Sequence, residues 1–215
     1  YNRKMYFNKI VFFLFLIDLC FCQEPADKGA NAKTKQILQY IAGLSKQSIT
    51  ISKLSDLHTF MNNVGKYLSG QFVGFGDQYF NLSQVEQIYN QTGEVPAILG
   101  CDYTDGFFTA IPPQKLINYS CNSILIDHWN RDGLISINTH FPNPVSANGG
   151  DVRTRSNLTF TDLFNFETVT GQRWRSYLDI VAEGFANLQR ANVTVLYRPF
   201  HEMNGNWFWW GRQVS

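Results

Sequence analysis

Residues 193–211 read VTVLYRPFHEMNGNWFWWG, and the change of character within this stretch decides the fold class that we expect. Its first five residues, VTVLY, are β-branched and apolar, which is typical of a buried strand. The residues that follow bring one arginine, one histidine and one glutamate together with five aromatic rings. A strand is therefore expected to end here, and the loop after it contains residues that can act in catalysis.

The segment before this strand predicts a helix. Across residues 174–190, apolar side chains at Tyr177, Val181, Phe185 and Leu188 repeat at intervals of four, four and three, which places them on one helical face. The same alternation of helix-like and strand-like runs continues towards the amino terminus. We predict helices at residues 55–64, 83–89, 114–129 and 174–190, and strands at residues 66–71, 96–102, 134–140 and 193–197.

Local signals mark several ends of these elements. Ser83 is the predicted N-cap of the second helix, and Gly93 lies where a C-cap glycine belongs. The Asp132-Gly133 pair stops the third helix. Residues 141–172 are predicted to form a long polar loop, and loops of this length are usually functional or disordered.

Strands that alternate with helices in this way predict βα units and a parallel sheet. Polar residues then gather at the carboxyl ends of the strands, where we place Asp102, His140, Arg198, His201 and Glu202. Four units do not close an eight-stranded barrel. The fold is therefore expected to be either an open α/β sheet or the front half of a (β/α)8 barrel.

The aromatic run after the fourth strand favours a carbohydrate ligand. Four successive rings at residues 207–210 cannot all face one core, so at least one is expected to face a cleft, where an indole can stack on a sugar. A carboxyl group packed among such rings loses hydration, which raises its pKa and suits it to donate a proton. A zinc peptidase helix needs a second histidine at position 205, but this residue is Gly205, so metal-dependent hydrolysis is excluded.

The run RPFHEMNGNWFWWG at residues 198–211 resembles the signature of family 26 glycoside hydrolases, which are mostly endo-acting β-mannanases. Weaker similarity extends to TGEVPAILGCDY at residues 92–103 and to HFPNP at residues 140–144. The resemblance implies a (β/α)8 TIM barrel of which this chain covers about the first four βα units. It also implies retaining chemistry by two glutamates at the ends of strands four and seven.

The resemblance assigns roles to individual residues. Glu202 matches the general acid/base. His201 is the residue that distinguishes this family from related barrel glycosidases, and we expect it to bind substrate. Trp207 and His140 match residues that line the sugar site, and Arg198 is expected to position carboxylates through bidentate hydrogen bonds. Asp102, at the end of a strand, is a further candidate for substrate binding.

These assignments predict a secreted retaining endo-β-1,4-mannanase that acts on mannan, glucomannan or galactomannan without metal or organic cofactor. The nucleophile is expected beyond Ser215, so the 215-residue chain alone is expected to be inactive. A β-glucanase or xylanase of the same family remains an alternative. A carbohydrate-binding protein without turnover is the alternative from another class, although such a protein has little use for a glutamate shielded by aromatic rings.

The amino-terminal residues are interpreted as a targeting signal. Lys9 and the apolar run at residues 10–17 have the pattern of a secretory signal that is too short to span a bilayer, and cleavage is expected after Cys22. The predicted organisation is a leader at residues 1–22, an amino-terminal lead-in segment at residues 23–64 and a partial catalytic domain at residues 65–215. No membrane association is expected after cleavage.

An exported chain permits disulfides and glycans. Cys101 and Cys121 remain after cleavage and are expected to pair. Five N-glycosylation sequons are present, at Asn81, Asn90, Asn118, Asn157 and Asn192. The 15 basic and 16 acidic residues after position 22 nearly balance, which disfavours a nucleic-acid partner. We expect a monomer.

Overall fold

A computed structural model of the protein describes residues 24–44, 68–73, 80–104, 113–147, 152–153 and 156–211. The chain divides into two units at the junction between Ser69 and Gly70. In the amino-terminal unit, helix α1 spans Ala32–Leu44, and the Asn31 side chain accepts a hydrogen bond from the backbone N–H of Thr34 at 2.9 Å. The helix predicted at residues 55–64 lies outside the described residues.

Strands and helices alternate along the carboxy-terminal unit. In chain order they are β1 (Gly70–Val73), α2 (Ser83–Thr92), β2 (Ile98–Asp102), α3 (Pro113–Leu116), α4 (Asn122–Asn130), β3 (Leu134–Thr139), a 3₁₀ helix (Phe160–Phe164), α5 (Val169–Arg190) and β4 (Val195–Pro199). Within the described ranges, no helix combines the length and the apolar character that crossing a membrane requires.

The four strands form one parallel sheet in the order β1-β2-β3-β4. Asp102, Asn138 and Arg198 stand side by side at the carboxyl ends of β2, β3 and β4. Five of the six residues of β3 are buried, as expected for a strand that is covered on both faces. The predicted parallel sheet is therefore confirmed, and its carboxyl edge brings the candidate site residues together.

Helix α5 packs against the sheet, where its Phe185 ring meets Tyr197 of β4 edge-on at a centroid distance of 4.8 Å. Thr168 caps it by accepting a hydrogen bond from the backbone N–H of Gly171 at 3.0 Å, so the helix begins at Val169 and not at residue 174 as predicted. Its buried apolar face includes Tyr177, Val181 and Leu188, which confirms the predicted periodicity.

A close approach between α5 and the loop after β2 depends on Gly184. A Cβ at this position would lie 2.8 Å from the Tyr103 ring, so no larger residue fits without a shift. Asn122 connects the same elements, because it accepts a hydrogen bond from the Tyr103 hydroxyl at 2.7 Å and donates one to the Gly184 carbonyl at 2.9 Å. These buried polar contacts fix α4 and α5 against the end of β2.

The helix predicted at residues 114–129 is wrong as a single element, because it is divided into α3 and α4. The backbone N–H of Asn118 donates to the Tyr103 carbonyl at 2.8 Å and not to a helical carbonyl. Its side-chain oxygen accepts hydrogen bonds from the backbone N–H and hydroxyl of Ser120, forming a turn. Local side-chain bonding therefore competes with the helical pattern.

Helix α2 confirms one predicted end and corrects the other. Gly93 terminates it in the left-handed conformation, at φ 72°, and donates its N–H to the Tyr89 carbonyl at 2.8 Å. Ser83 is not the N-cap but the first helical residue. The side-chain oxygen Oδ1 of Asn81 accepts a hydrogen bond from the backbone N–H of Ser83 at 3.1 Å, so an asparagine turn precedes the helix.

The remaining strand ends shift by a few residues from their predicted positions. Strand β1 begins at Gly70, and β4 spans Val195–Pro199. The loop after β3 is shorter than predicted, since it contains the 3₁₀ helix and ends where α5 begins. Asp162 is the third residue of that 3₁₀ helix and forms a capping box with Thr159, and its side chain is exposed.

A disulfide joins Cys101 in β2 to Cys121 at the start of α4, as predicted. In the chain-entropy treatment, a cross-link between residues 20 apart stabilises the fold by about 3 kcal/mol. We therefore expect a double variant, Cys101→Ala with Cys121→Ala, to lose about 3 kcal/mol of unfolding free energy in urea titrations. Wild-type protein under reducing conditions is the control, and equal stability of oxidised and reduced protein would contradict the expectation.

Candidate active site

The site is built at the carboxyl edge of the sheet. Asp102 ends β2, and His140 directly follows β3. Arg198 is the penultimate residue of β4, and His201 and Glu202 lie just beyond that strand. These are five of the six residues that the sequence analysis selected, and the parallel register brings their strand ends together. Asp102 and His140 are buried, whereas Arg198 and Glu202 are exposed.

A tight turn follows β4 and determines where its side chains lie. Phe200 and Glu202 both have a positive φ, 48° and 58°, on either side of His201. A bulky residue in the left-handed region is strained by about 1–3 kcal/mol and persists only where its surroundings hold it. Phe200 is buried and stacks on Trp174 at a centroid distance of 5.7 Å. Aromatic packing therefore holds the turn.

The consecutive rings after the turn separate into buried and exposed members. Trp209 and Trp210 are buried, and their indole N–H groups donate to the carbonyls of Phe141 at 2.7 Å and His201 at 2.9 Å. Trp207 is 50% exposed. The prediction that these rings point in different directions is confirmed, and Trp207 is the one that faces solvent.

Glu202 lies on the open side of the turn. The indole N–H of Trp207 donates to its Oε2 at 2.7 Å. The sequence analysis expected this carboxyl group to be shielded by aromatic rings, but the side chain is exposed in the described structure. The difference arises because Trp209 and Trp210 pack inward beneath the turn, and Trp207 is the ring that bonds to the carboxylate.

Asp102, His140 and His201 form a connected line of hydrogen bonds, which we call the buried array. The Nδ1 of His140 contacts Oδ2 of Asp102, and its Nε2 lies 2.9 Å from Nε2 of His201. Direct substrate contact was predicted for all three residues. The burial of Asp102 and His140 argues against such contact, because their polar atoms bond to protein groups beneath the surface.

The His201 ring is set among apolar neighbours. It packs edge-on against Phe208 and Trp210, at centroid distances of 5.6 and 6.1 Å. Burial, followed by the proximity of His140, lowers the pKa of His201 to about 4. Its Nδ1 atom is buried and bonds to no residue of the described structure. His201 is therefore neutral at pH 7.

Arg198 makes no bidentate contact with a carboxylate of the described residues, so its expected contact with carboxylates stays a prediction. It is exposed on β4, and its guanidinium forms no hydrogen bond with the described part of the chain. Its positive charge nevertheless acts on His201 and contributes to the lowered pKa of that ring. The arginine therefore belongs to the electrostatic surroundings of the site, and a role in binding substrate stays a prediction.

Sequence reasoning missed two residues that build the site. Phe200 was read only as one ring of a motif, but its left-handed backbone and burial set the turn. Trp210 was not distinguished from its neighbours, although its indole holds the His201 carbonyl. Neither periodicity nor residue type separates these rings, because the direction of each side chain depends on the turn geometry.

A parallel sheet with an exposed glutamate and tryptophan after β4, beside a hydrogen-bonded pair of histidines, fits the class of barrel glycosidases. The sequence profile described as Glycosyl hydrolase family 26 matches residues 27–215. The chain belongs to this family. The resemblance noted from the sequence is thereby confirmed.

Curated relatives include a mannan endo-1,4-beta-mannosidase of Bacillus subtilis, which is 35% identical over 87% of this chain and 48% of its own length. The mannan endo-1,4-beta-mannosidase A and B of Caldalkalibacillus mannanilyticus is 36% identical over 87% of this chain and 34% of its own length. The chain thus spans about half of the first relative and one third of the second.

Solved structures agree with this assignment. The YdhT protein and a mannanase, both from Bacillus subtilis, superpose with TM-scores of 0.72 at 31% and 30% identity, and the matches cover 89% of this chain. They cover 54% and 53% of those two chains. These neighbours are (β/α)8 barrels, so the four parallel strands correspond to part of such a barrel and not to an open sheet.

The lowered pKa of His201 makes stability depend on pH. In the unfolded chain, a histidine gains a proton as the pH falls through about 6.5, whereas folded His201 does so only near pH 4. Stability is therefore lost as the pH falls through this window. We expect wild type to lose about 1 kcal/mol more than His201→Gln between pH 7 and pH 4.5, allowing for solvent screening.

Urea titrations at both pH values measure the difference. Subtracting the variant from the wild type removes the contribution of other groups, including half-buried His128, whose pKa is also lowered by burial. Equal losses in the two proteins would show that His201 is not held neutral by the fold.

Proposed function

We propose that the full-length protein carrying this chain is a secreted, retaining endo-β-1,4-mannanase with Glu202 as its general acid/base. The observation that carries the proposal is the position of Glu202. It lies at the carboxyl end of β4, hydrogen-bonded to Trp207, in a chain of glycosyl hydrolase family 26. The names of the curated relatives, mannan endo-1,4-beta-mannosidase, support the substrate class.

The contact with Trp207 indicates which oxygen of Glu202 carries the proton. An indole N–H only donates hydrogen bonds, so Oε2 must act as an acceptor. When Glu202 is protonated, this contact favours the hydrogen on Oε1, because a carbonyl oxygen is a better acceptor than a hydroxyl oxygen. That oxygen is the one that donates a proton to the departing glycosidic oxygen and later takes a proton from water.

The second carboxylate of a retaining mechanism is not supplied by Asp102. Its Oδ1 accepts hydrogen bonds from the backbone N–H groups of Thr104 and His140, and its Oδ2 contacts the His140 ring. A nucleophile needs an oxygen free to attack the anomeric carbon. We propose that a glutamate from a later strand of the full-length barrel occupies this role, with its carboxyl group about 5–5.5 Å from that of Glu202.

The open side of the turn suits a polysaccharide. Trp207 presents half of its surface to solvent next to Glu202, and Met203 is also exposed. Apolar faces of pyranose rings stack on such an indole, while charged and polar groups pair with their hydroxyls. Arg198, exposed on the same strand end, adds a donor for those hydroxyls. We propose that mannan-type chains bind along this surface.

Substitution of Glu202 in the full-length protein tests the proposal. We expect Glu202→Gln and Glu202→Ala to lower kcat on mannan by about 10²–10⁴-fold, because general acid catalysis is lost. An aryl mannoside with an acidic phenol leaving group needs less protonation, so its cleavage should fall less. The matched control is Glu183→Gln, which changes an exposed glutamate on α5. Undiminished hydrolysis of mannan would remove the assignment.

The same enzyme and variants separate the alternative functions. Rates on mannan, barley β-glucan and xylan distinguish a mannanase from a glucanase or xylanase of the family. A protein that binds mannooligosaccharides but hydrolyses none of the three would be a carbohydrate-binding protein. Retained oligosaccharide affinity in Glu202→Ala, together with lost hydrolysis, is the result expected for an enzyme.

Export of the protein is part of the proposal. Four of the five sequon asparagines are exposed, whereas Asn118 is half-buried, and the disulfide is compatible with an oxidising compartment. We expect a eukaryotic secretory host to release protein that starts at Gln23 and loses mass on treatment with an N-glycosidase. Amino-terminal sequencing and mass spectrometry check both, and sedimentation checks the expected monomer. Secreted protein that retains residues 1–22 would contradict cleavage after Cys22.

A further inference from the structure

The buried array lies directly behind the proposed acid/base. Oδ1 of Asp102 accepts the backbone N–H groups of Thr104 at 2.9 Å and His140 at 3.1 Å, and Oδ2 faces Nδ1 of the His140 ring. The other ring nitrogen of His140 meets His201, the residue that precedes Glu202. Two backbone N–H donors on one oxygen are the arrangement expected for an ionised carboxylate.

This connectivity fixes the hydrogen on each ring nitrogen. A carboxylate only accepts, so Nδ1 of His140 carries a hydrogen. Neutral His140 then has a lone pair on Nε2, and His201 must donate its own Nε2 hydrogen across the 2.9 Å separation. The Nδ1 atom of His201 is consequently a lone pair. A doubly protonated His140 would reverse this order, because its Nε2 would then donate to His201.

The surroundings of His201 favour its neutral form. The titratable or charged groups that act on it come from three strand ends: His140, Asp102, Arg198 and Glu202. The histidine and the arginine disfavour a proton on His201, whereas the two carboxyl groups favour one. Burial outweighs these charges, since the ring packs between Phe208 and Trp210.

We propose that Asp102 and His140 are positioning residues that hold the His201 ring as its Nε2-protonated tautomer, in which Nε2 donates to His140 and Nδ1 keeps its lone pair. This inference rests on the proposed role of Glu202 as the acid/base. His201 directly precedes Glu202, so the hydrogen bond that holds its ring to His140 also holds the peptide that carries the proposed acid/base.

Asp102→Asn is the variant that the geometry singles out. Two backbone N–H groups point at Oδ1, so the amide oxygen of the new asparagine is fixed there and its NH₂ group must face the His140 ring. The Nδ1 atom of His140 then accepts, its Nε2 donates, and His201 carries its hydrogen on Nδ1. A substitution of equal shape therefore reverses the tautomer of a residue that it does not touch.

Nitrogen-15 NMR of the histidine-labelled full-length protein measures this reversal. In wild type we expect His201 to be protonated on Nε2, with a scalar coupling to Nε2 of His140 through the hydrogen bond. In Asp102→Asn we expect protonation on Nδ1, an unchanged spectrum for His128 on α4, and similar thermal stability. The kcat on mannan should fall by at least about tenfold, with KM within about twofold.

Each result supports or overturns the inference. A wild-type His201 protonated on Nδ1, a doubly protonated His140, or an unchanged tautomer in Asp102→Asn would overturn the proposed array. A reversed tautomer with unchanged kcat would overturn its role in catalysis. If Asp102→Asn does not fold, the wild-type spectrum alone decides. The Glu202→Gln assay fails or succeeds independently of these spectra, so the two proposals can be distinguished.

Discussion

The burial of Phe200 is the constraint on which the site depends. A phenylalanine with φ of 48° is unfavourable in isolation, and it persists here because Phe200 packs against Phe141, Trp174 and Trp209. Burying an aromatic side chain stabilises a fold by about 1.5–3 kcal/mol, which matches the cost of the strained backbone. The core therefore supports the turn, and the turn sets the directions of His201 and Glu202.

This turn assigns opposite environments to two consecutive residues. His201 points towards β3, where it meets His140 in a buried position, and Glu202 points outward to Trp207 and solvent. A regular strand would also alternate the two side chains, but it would not bring the His201 carbonyl to the indole of Trp210. A histidine whose protonation state is fixed inside the protein and a glutamate that is open to ligand can thus be consecutive residues.

The sequence predicted the sheet because its signal is local and repeated. Continuous apolar runs at β2 and β3 and the long amphipathic face of α5 are sufficient to identify βα units, and parallel pairing then places Asp102, His140 and Glu202 at one edge. The division between α3 and α4 was not predictable from periodicity. It depends on Asn118, whose backbone bonds to the distant Tyr103 carbonyl and whose side chain forms a turn.

The candidate site was predictable in its members but not in their arrangement. The types and positions of His140 and His201 suggested contact with sugar, whereas their direct hydrogen bond requires knowledge of which way each strand end turns. The exposure of Glu202 was missed for the same reason. Aromatic composition shows that rings are nearby, but it does not show whether they cover the carboxyl group or support the turn beneath it.

Two neighbouring residues of β2 serve different purposes: one stabilises the fold and the other belongs to the candidate site. Successive side chains of a strand point to opposite faces. Cys101 therefore points towards α4, and Asp102 points towards His140. The disulfide to Cys121 anchors the strand to α4, and the Asp102 carboxylate anchors His140. Because one peptide joins these two anchors, a shift of β2 relative to α4 would also move the carboxylate on which the tautomer of His201 depends. The cross-link therefore restricts the folded protein as well as the unfolded chain, because it fixes the position of Asp102 in the buried array.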